Sequence, residues 1–539
     1  MTPIRLALLI ALLGASLPGC DSNGARSAAK PAIADADPPQ RCAALMGKGI
    51  GFGTVTEVAH VTQDEELVPM AKRMMLKVVL PFELPPLPAP RNLCRVWADL
   101  KPVPGSLIKV QAWLPDDWNG KLLAKGGGGF NGGLFGASLV MREGSAKGYA
   151  TVVTDVGHDM SDSAKFAHDN KEAFIDYGYR GNHATAVYTK ELIEAYYGKP
   201  PRLAYFEGGS NGGREALMEA RRFPEDYDGI IAGMPAMSFT RLMASFMWNH
   251  QAAAAAPGLK GKLGLVRDAV LAKCDALDGV NDGALENPLS CTFDAAELQC
   301  KGADAAGCLT AGEVEALRKI HGGPRLRDGS QVFPGLPVGS ETHPTEMNFW
   351  IFDEKALQPA MGQEAFRWMV HGDPEWEKSR FDLDRDYPAA AKAATILDAD
   401  DPDLSEFLKR GGKLIIHHGW NDAAIPAAST LNYYGALLKK VGAAAEQQVR
   451  LFMVPGMGHG FGRPGPDHYD MLGELERWVE GGPAPERIVA RQFETAPPPF
   501  IPPDPGAKVA RTRPLCAWPK IARYDGSGST DDEASFSCQ

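Results

Sequence analysis

Short apolar runs alternate with helically spaced apolar residues along much of the chain. The segments SLIKVQAWLP (106–115), GKLLAKGGGGF (120–130) and YATVVTDVG (149–157) are short and apolar, which predicts strands. Residues 182–198 carry apolar side chains at helical spacing and end at Gly198, which predicts a helix closed by a glycine. Because strands followed by helices form parallel βαβ units, the pattern indicates an α/β fold.

This alternation stops for about 170 residues and then resumes. The interrupting stretch, 237–405, is rich in Asp, Ala and Pro, contains four cysteines and has few strand signals. The segments GGKLIIHHGWND (411–422) and QVRLFMVPGMGHG (448–460) then return to buried strands. We therefore predict one α/β core, formed by residues 41–236 and 406–539, with a large inserted lid domain at 237–405.

The first 40 residues differ from the rest. Residues 1–19 combine one arginine, an apolar run and small residues, which is typical of a secretory signal peptide. The run ends in LPGC, which resembles a bacterial lipobox and would make Cys20 the lipidated first residue. The alternative is an ordinary signal peptide with an incidental cysteine. Residues 20–40 are polar and rich in Ala and Pro, which predicts a disordered tether. We expect export, to the periplasm, to the outer membrane as a lipoprotein, or to the medium.

The charge balance bears on the partners. The chain has 56 Lys and Arg against 67 Asp and Glu, a net charge of −11. Phosphate binding depends on basic patches, and a mildly acidic chain without one is not typical of nucleic-acid binding. We expect a small-molecule partner, with membrane anchoring only through a lipidated Cys20.

Eight cysteines remain after Cys20, and an even number in an exported chain is typical of disulfides. Spacing alone does not fix the pairing, since eight cysteines allow about 105 connectivities. Proximity favours two local bridges and one that holds the C-terminal tail, which leaves two cysteines for each other: Cys274–Cys291, Cys300–Cys308, Cys516–Cys538 and Cys42–Cys94.

One serine stands among glycines in EGGSNGGR (207–214). Residues 208–212 fit G-x-S-x-G, which in α/β-hydrolases forms a sharp strand-to-helix turn that exposes the serine hydroxyl. The motif is a weak signal by itself and also fits a surface turn. Here a strand-like run precedes it and a helix-like run follows, as the motif requires. Ser210 is therefore the candidate nucleophile, which needs a base and an orienting carboxylate.

In this fold the acid and then the base follow the serine in the chain. Asp422 and His459 each lie just after a predicted buried strand. His417 and His418 lie within or at the end of a strand, where a structural role is favoured, and His158 precedes the serine. We predict that Asp422 and His459 complete a triad with the serine.

Acyl transfer also needs N–H donors for the developing oxyanion. One donor is expected from Asn211, at the start of the helix after the serine. The other is expected from the glycine run 126–129, with Gly128 and Gly129 as the candidates. The alternative for this run is a flexible surface loop.

Together, several segments resemble the tannase and feruloyl esterase family, which includes mono(hydroxyethyl) terephthalate hydrolase. The matching segments lie between about residue 41 and residue 538, and include WNGKLLAKGGGGF, TDVGH, EGGSNGGREAL, CDALDGVNDGALENPLSC, HGWND, VPGMGH and the tail PLCAWPKIARYDGSGSTDDEASFSC. The resemblance implies an α/β-hydrolase core with an inserted lid, and hydrolysis of esters of phenolic or other aromatic acids. It implies the same catalytic roles for Ser210, Asp422 and His459.

The chain departs from the family at one pair of positions. Family members usually carry a cysteine directly before the serine and another directly after the histidine, bridged beneath the triad. Gly209 and Gly460 stand there in this chain. Two glycines either leave a gap or let the two loops close up.

The segment CDALDGVNDGAL (274–285) places three aspartates within eight residues. Such a run is by itself typical of a solvated acidic loop. The resemblance instead implies a structural Ca²⁺ in the lid, because members of the family carry one in a loop of this spacing. Hard cations such as Ca²⁺ take carboxylate and carbonyl oxygens together. The implied ligands are Asp275, Asp278, Val280, Asp282 and Ala284.

Two alternatives remain open from the sequence. The same chemistry can act on a phthalate-type or aliphatic ester. In a different class, the chain is a catalytically silent surface lipoprotein whose lid binds a ligand.

Overall fold

The structure is a computed structural model that describes residues 35–68, 70, 73, 85–159, 163–460, 462, 464–497, 503 and 506–539. The predicted signal peptide and Cys20 lie outside these residues, as does the tether up to residue 34. Among the residues described, we find no helix with the length and apolar character needed to span a bilayer.

The end of the predicted tether is ordered, contrary to the sequence expectation. Helix α1 spans Pro38–Ala43, so it begins inside the stretch that composition assigns to the tether. The Asp37 side chain accepts a hydrogen bond from the Gln40 N–H, and Pro38 occupies the first turn, where its missing N–H costs nothing. The Cys42–Cys94 bridge then fixes this helix to the sheet.

A ten-stranded sheet forms the centre of the molecule, in the order β1-β2-β3-β4-β6-β5-β7-β8-β9-β10. Strands β1 to β4 and the β4–β6 pair are antiparallel, and the strands from β6 to β10 are parallel. The strands are β1 Gly49–Ile50, β2 Gly53–Val61, β3 Leu93–Leu100, β4 Ile108–Pro115, β5 Lys121–Lys125, β6 Ala150–Thr154, β7 Leu203–Gly209, β8 Gly229–Gly233, β9 Lys413–Gly419 and β10 Val449–Val454.

The strands predicted from apolar runs are all present, as β4, β5, β6, β9 and β10. The helix predicted at 182–198 spans Gly181–Tyr197, and Gly198 ends it in the left-handed conformation. The parallel strands β5 to β9 are buried along almost their whole length, which explains their continuous apolar runs.

Helices cover both faces of the sheet and fill the connection between β8 and β9. In chain order the further helices are α2 Ala137–Val140, α3 Arg142–Ala146, α4 Phe166–Asp169, α5 Lys171–Ile175, α6 Gly181–Tyr197, α7 Asn211–Arg222, α8 Phe239–Ala255, α9 Leu263–Cys274, α10 Ala311–Gly322, α11 Pro344–Met347, α12 Leu357–Glu364, α13 Leu383–Ala389, α14 Ala391–Leu397, α15 Ser405–Lys409, α16 Ala427–Val441, α17 Ala443–Gln448 and α18 Met471–Val479.

Residues 234–412, between β8 and β9, are called the insertion below. All of them are described, and they contain helices and isolated bridges but no strand. One of its apolar clusters surrounds Leu259, Val266 and Leu317. Another joins Phe239 and Phe366 of the insertion to Tyr177 of the core. The insertion therefore packs against the core through a continuous apolar interface.

The four disulfides are the pairs that spacing favours. They join Cys42 to Cys94, Cys274 to Cys291, Cys300 to Cys308 and Cys516 to Cys538. Two of them lie in the insertion. The last joins two small outer hairpins, formed by β11 Arg487–Phe493 with β12 Val509–Cys516 and by β13 Ala522–Tyr524 with β14 Phe536–Cys538.

Candidate active site

Ser210 occupies the sharp turn between β7 and helix α7. Its φ of 61° and ψ of −122° are strained for a residue with a side chain, which costs of order 1–3 kcal/mol. The surrounding glycines are required by close backbone packing. A Cβ at position 213 would lie 2.5 Å from the Gly233 carbonyl oxygen, and one at position 208 would overlap the Gly212 backbone. The glycines thus allow the helix to start directly behind the serine.

The three predicted triad residues come together at the carboxyl ends of their strands. His459 Nε2 lies 2.9 Å from Ser210 Oγ, and His459 Nδ1 lies 2.7 Å from Asp422 Oδ2. The other oxygen of Asp422 accepts hydrogen bonds of 2.8 Å from the N–H groups of Ala424 and Ile425. Nδ1–H can therefore donate to the carboxylate while Nε2 accepts from the serine hydroxyl.

The charges of this pair support each other. Burial opposes ionisation of Asp422, but His459 and His418 outweigh it and hold the pKa of this carboxyl below its ordinary value. Burial likewise opposes a charged His459, but Asp422 outweighs it and raises the pKa of the imidazole. An acid that stays ionised beside a base of raised pKa is the arrangement that a serine nucleophile requires.

The two competing histidines have structural surroundings. His418 is fully buried, with Nδ1 2.7 Å from Thr430 Oγ1 and Nε2 3.2 Å from Asp422 Oδ2. His417 lies 3.0 Å from the Tyr469 hydroxyl, and burial lowers its pKa to about 4. His418 contacts the Asp422 carboxylate, and neither histidine lies in the position that His459 takes beside the serine.

The glycine run after β5 lies beside the serine turn. The Gly128 N–H donates to the Asn131 carbonyl at 2.9 Å, so the local turn already uses this predicted donor. The N–H groups of Gly129 and Asn211 have no acceptor among the described residues. The backbone geometry is therefore compatible with the predicted donor role for Asn211 and Gly129, and not for Gly128.

A buried polar network, which sequence reasoning missed, lies behind these two donors. The Tyr177 hydroxyl is 2.9 Å from the Gly129 carbonyl oxygen and 3.1 Å from Asn211 Oδ1. Arg214 Nε donates to Asn211 Oδ1 at 2.7 Å, and Asn211 Nδ2 donates to Glu215 Oε1 at 2.9 Å. These contacts hold the Gly129 carbonyl and the Asn211 side chain, which belong to the same two residues as the candidate donors.

The sequence did hold one signal for this network. Arg214 and Glu215 are adjacent opposite charges in the first turn of α7, where the apolar pattern gives no reason to bury them, yet both are buried. Glu215 Oε2 also accepts from the Gly127 N–H at 2.9 Å. Such a pair directly after G-x-S-x-G indicates a polar support for the turn.

Met234 fills the space where the family's disulfide would lie. A Cβ at Gly209 would lie 3.0 Å from Met234 Sδ, and one at Gly460 would lie 3.3 Å from Met234 Cε. Met234 directly follows β8, has a φ of 31° and is 5% exposed. The two loops have therefore not closed up against each other. The space that the two glycines leave is filled by the Met234 thioether.

The insertion places large side chains around the triad. The indole of Trp350 meets the His459 ring edge-to-face, with centroids 5.1 Å apart. Phe349 contacts Trp350 and is 48% exposed. Met361 lies next to Gly129, and its Cε would be 3.8 Å from a Cβ placed on that glycine. The aromatic segment 347–353 of the insertion thus borders the site.

The acidic loop of the insertion lies within a network of its own. Asp278 Oδ1 accepts from the Val280 N–H at 2.9 Å, and both oxygens of Asp275 accept from the Gly283 N–H at 3.1 Å. Burial, with nearby Asp282, raises the pKa of Asp278 to about 6.

The charge on the third aspartate is already balanced. Asp282 Oδ2 contacts Arg511 at 3.0 Å and also contacts Arg513. In the part of the chain that the structure describes, no three His, Cys, Asp or Glu side chains are placed to hold a metal. The loop carries the carboxylate and carbonyl oxygens that Ca²⁺ prefers, but its three carboxylates are not gathered around one point and one of them is paired to arginine.

Comparisons with known proteins agree with this geometry. A family model described as tannase and feruloyl esterase matches residues 94–539. Mono(2-hydroxyethyl) terephthalate hydrolase of Piscinibacter sakaiensis is 34% identical over 80% of this chain and 81% of its own length. Feruloyl esterase B of Aspergillus niger is 28% identical over 98% of this chain and 99% of its own.

Solved structures show the same architecture. The crystal structure of feruloyl esterase B from Aspergillus oryzae aligns with a TM-score of 0.79 at 25% identity, covering 91% of this chain and 98% of that one. An esterase from the same organism aligns with a TM-score of 0.81, also at 25% identity, over 92% of this chain and 98% of that one. The predicted α/β-hydrolase fold class is confirmed.

Proposed function

Because the chain belongs to the tannase and feruloyl esterase family, and is therefore a carboxylic ester hydrolase, we propose that it is an exported serine esterase that cleaves esters of phenolic or other aromatic acids through an acyl-enzyme. One observation carries the mechanism. Ser210, His459 and Asp422 form an unbroken chain of contacts of 2.9 and 2.7 Å at a strained strand-to-helix turn.

In the proposed mechanism each group has a defined role. His459 Nε2 takes the proton of Ser210 Oγ as the oxygen attacks the ester carbonyl, and Asp422 stabilises the resulting imidazolium. The N–H groups of Asn211 and Gly129 stabilise the negative carbonyl oxygen. His459 then protonates the leaving alcohol, and a water molecule, activated by the same imidazole, releases the acid from the serine.

The surroundings of the triad favour an aromatic acyl group. The Trp350 ring lies against His459 and the partly exposed Phe349 ring lies against Trp350, and aromatic pairs gain about 0.5–1.5 kcal/mol beyond the area they bury. Met361 adds a flexible apolar surface beside Gly129. A phthalate-type ester is the second candidate, because a relative that is 34% identical is named for a terephthalate ester.

Labelling separates an enzyme from a silent binding protein. We expect a fluorophosphonate to form one adduct, on Ser210, and Ser210→Ala to form none. Folded protein that takes up no label would refute the esterase proposal. Hydrolysis of methyl ferulate, methyl gallate, mono(hydroxyethyl) terephthalate and an aliphatic ethyl ester would then rank the substrate classes, with Ser210→Ala as the blank.

We also propose that the acidic loop binds a structural Ca²⁺. The side chains of Asp275, Asp278 and Asp282 and the carbonyls of Val280 and Ala284 would hold it. Bound to the folded state alone, Ca²⁺ at 100 times its Kd stabilises by about 2.7 kcal/mol. Chelation should lower the melting temperature, Ca²⁺ should restore it, and Asp278→Asn should lose the response. Metal-free protein with an unchanged melting temperature would exclude the site.

The proposal of export is supported by the disulfides, because disulfides form and persist in oxidising compartments. Radiolabelled palmitate incorporation into wild type, but not into Cys20→Ser, would establish lipidation. A mature protein that begins after residue 20 without lipid would leave an ordinary signal peptide.

A further inference from the structure

A carboxyl group from the insertion reaches into the triad. Glu346 lies in α11 (Pro344–Met347), and its Oε1 accepts hydrogen bonds from the His459 N–H at 2.8 Å and from the Ala423 N–H at 3.2 Å. These two amides belong to the base itself and to the residue directly after the acid. One oxygen therefore joins the loops that follow β9 and β10.

The loop of the base is shaped around this carboxyl. A Cβ at Gly458 would overlap Glu346 Oε2, so the carboxyl lies directly against the backbone of that loop. The loops also contact each other directly, since the Asn421 N–H donates to the Met457 carbonyl at 2.9 Å. Glu346 adds a contact to the backbone N–H of the base itself, and it comes from outside the core.

On the basis of the proposed serine esterase mechanism, we propose that Glu346 is a positioning residue that aligns the Asp422 and His459 loops and makes their geometry depend on the seating of the insertion. A loop misplaced by 1 Å can cost about a hundredfold in rate, so a shared anchor for acid and base affects kcat. Substrate binding depends on other side chains, and KM should change little.

The protonation state of Glu346 distinguishes this role from simple packing. Asp422 and His459 of the core are the charged groups that act on its carboxyl. His343 of the insertion lies close by and accepts a hydrogen bond from the Glu346 backbone N–H at 3.3 Å through Nδ1. Burial and the negative charge of Asp422 raise the pKa of Glu346 to about 8. At neutral pH it is an uncharged acceptor. Above about pH 8 it becomes a second negative charge beside the imidazole.

Two substitutions separate the hydrogen bonds from the titration. Glu346→Gln keeps an acceptor oxygen and cannot ionise, and Glu346→Ala removes both. At pH 7 we expect Gln to keep kcat within about threefold and Ala to lose about tenfold or more, both with KM within about twofold. The wild-type kcat profile should bend near pH 8, and the Gln variant should lack that bend. Glu354→Ala, an exposed carboxylate of the insertion, is the matched control.

The result that overturns the inference is equally specific. If Ala keeps kcat within twofold, or if Gln loses as much as Ala with an unchanged pH profile, Glu346 does not position the triad. Melting temperatures identify any variant that fails to fold.

A second measurement tests the coupling of Glu346 to His459 without relying on ester hydrolysis. If the wild type hydrolyses no ester, the inference is judged on the histidine ¹³Cε1 resonance of His459, assigned with His459→Asn. Its titration should show a second inflection near pH 8 in the wild type and none in Glu346→Gln. A single identical titration in both proteins would refute the coupling.

Discussion

Cysteines placed at Gly209 and Gly460 test the packing beneath the triad. Each new Cβ would lie within 4 Å of Met234 Sδ, so the two Cβ atoms would be at most about 7 Å apart. The thioether occupies the space between them. A disulfide needs its Cβ atoms about 3.5–4.5 Å apart. We expect Gly209→Cys/Gly460→Cys to keep free thiols while Met234 is present, and to form the bridge once Met234→Ala is added.

The magnitudes follow from the structure. A bridge between positions 209 and 460 closes a loop of about 250 residues, which nominally stabilises the fold by about 5.5 kcal/mol. Gly460 has a φ of 86°, and a cysteine there costs roughly 1–2 kcal/mol. Truncating the buried Met234 costs about 2–5 kcal/mol. The free energy of unfolding of the oxidised triple variant should therefore lie within about 2.5 kcal/mol of the wild-type value.

Thiol counting and thermal unfolding read out the result. Alkylation followed by mass spectrometry reports whether residues 209 and 460 are free or joined. The effect of a reductant on the melting temperature of the triple variant is compared with its effect on Met234→Ala alone. This control is needed because the reductant also acts on the four native disulfides. Quantitative bridging in the double variant, with Met234 intact and no loss of melting temperature, would refute this account of the packing.

Three further outcomes test the site. Asp422 raises the pKa of His459, and only the neutral imidazole acts as base. As the pH drops, kcat/KM should therefore fall with a midpoint above 6.5, and a midpoint below 6.5 would contradict the pairing of His459 with Asp422. Asp422→Asn should lower kcat by about 10⁴-fold, because the ring loses the partner that sets its tautomer, and a loss under tenfold would exclude Asp422 as the acid. Tyr177→Phe should lower kcat about fivefold at constant KM, through the Gly129 carbonyl; unchanged kcat would leave Tyr177 a packing role.

The sequence predicts the parts whose causes are local. The parallel strands are buried on both faces and read as apolar runs, and the turn at Ser210 carries the glycines that its backbone approach demands. Chain order and strand ends then suffice to select Asp422 and His459.

The remaining features depend on contacts between distant segments. Met234 lies next to Gly460, and Glu346 lies next to His459, more than 100 residues away in each case. No periodicity or motif marks such a pair in one sequence. The Gly128 amide was a similar case, because its use by Asn131 depends on how the loop turns back on itself.

The position of the insertion has a consequence for biosynthesis. Strand β8 is complete at Gly233, and its neighbour β9 begins only at Lys413. During chain growth or translocation the edge of β8 therefore waits unpaired until residues 234–412 have been made, and an open edge invites association with other chains. The residues of the Ser210 turn are likewise made long before Asp422 and His459, so under the proposed mechanism an incomplete chain cannot hydrolyse an ester. Refolding yield should fall as the protein concentration rises.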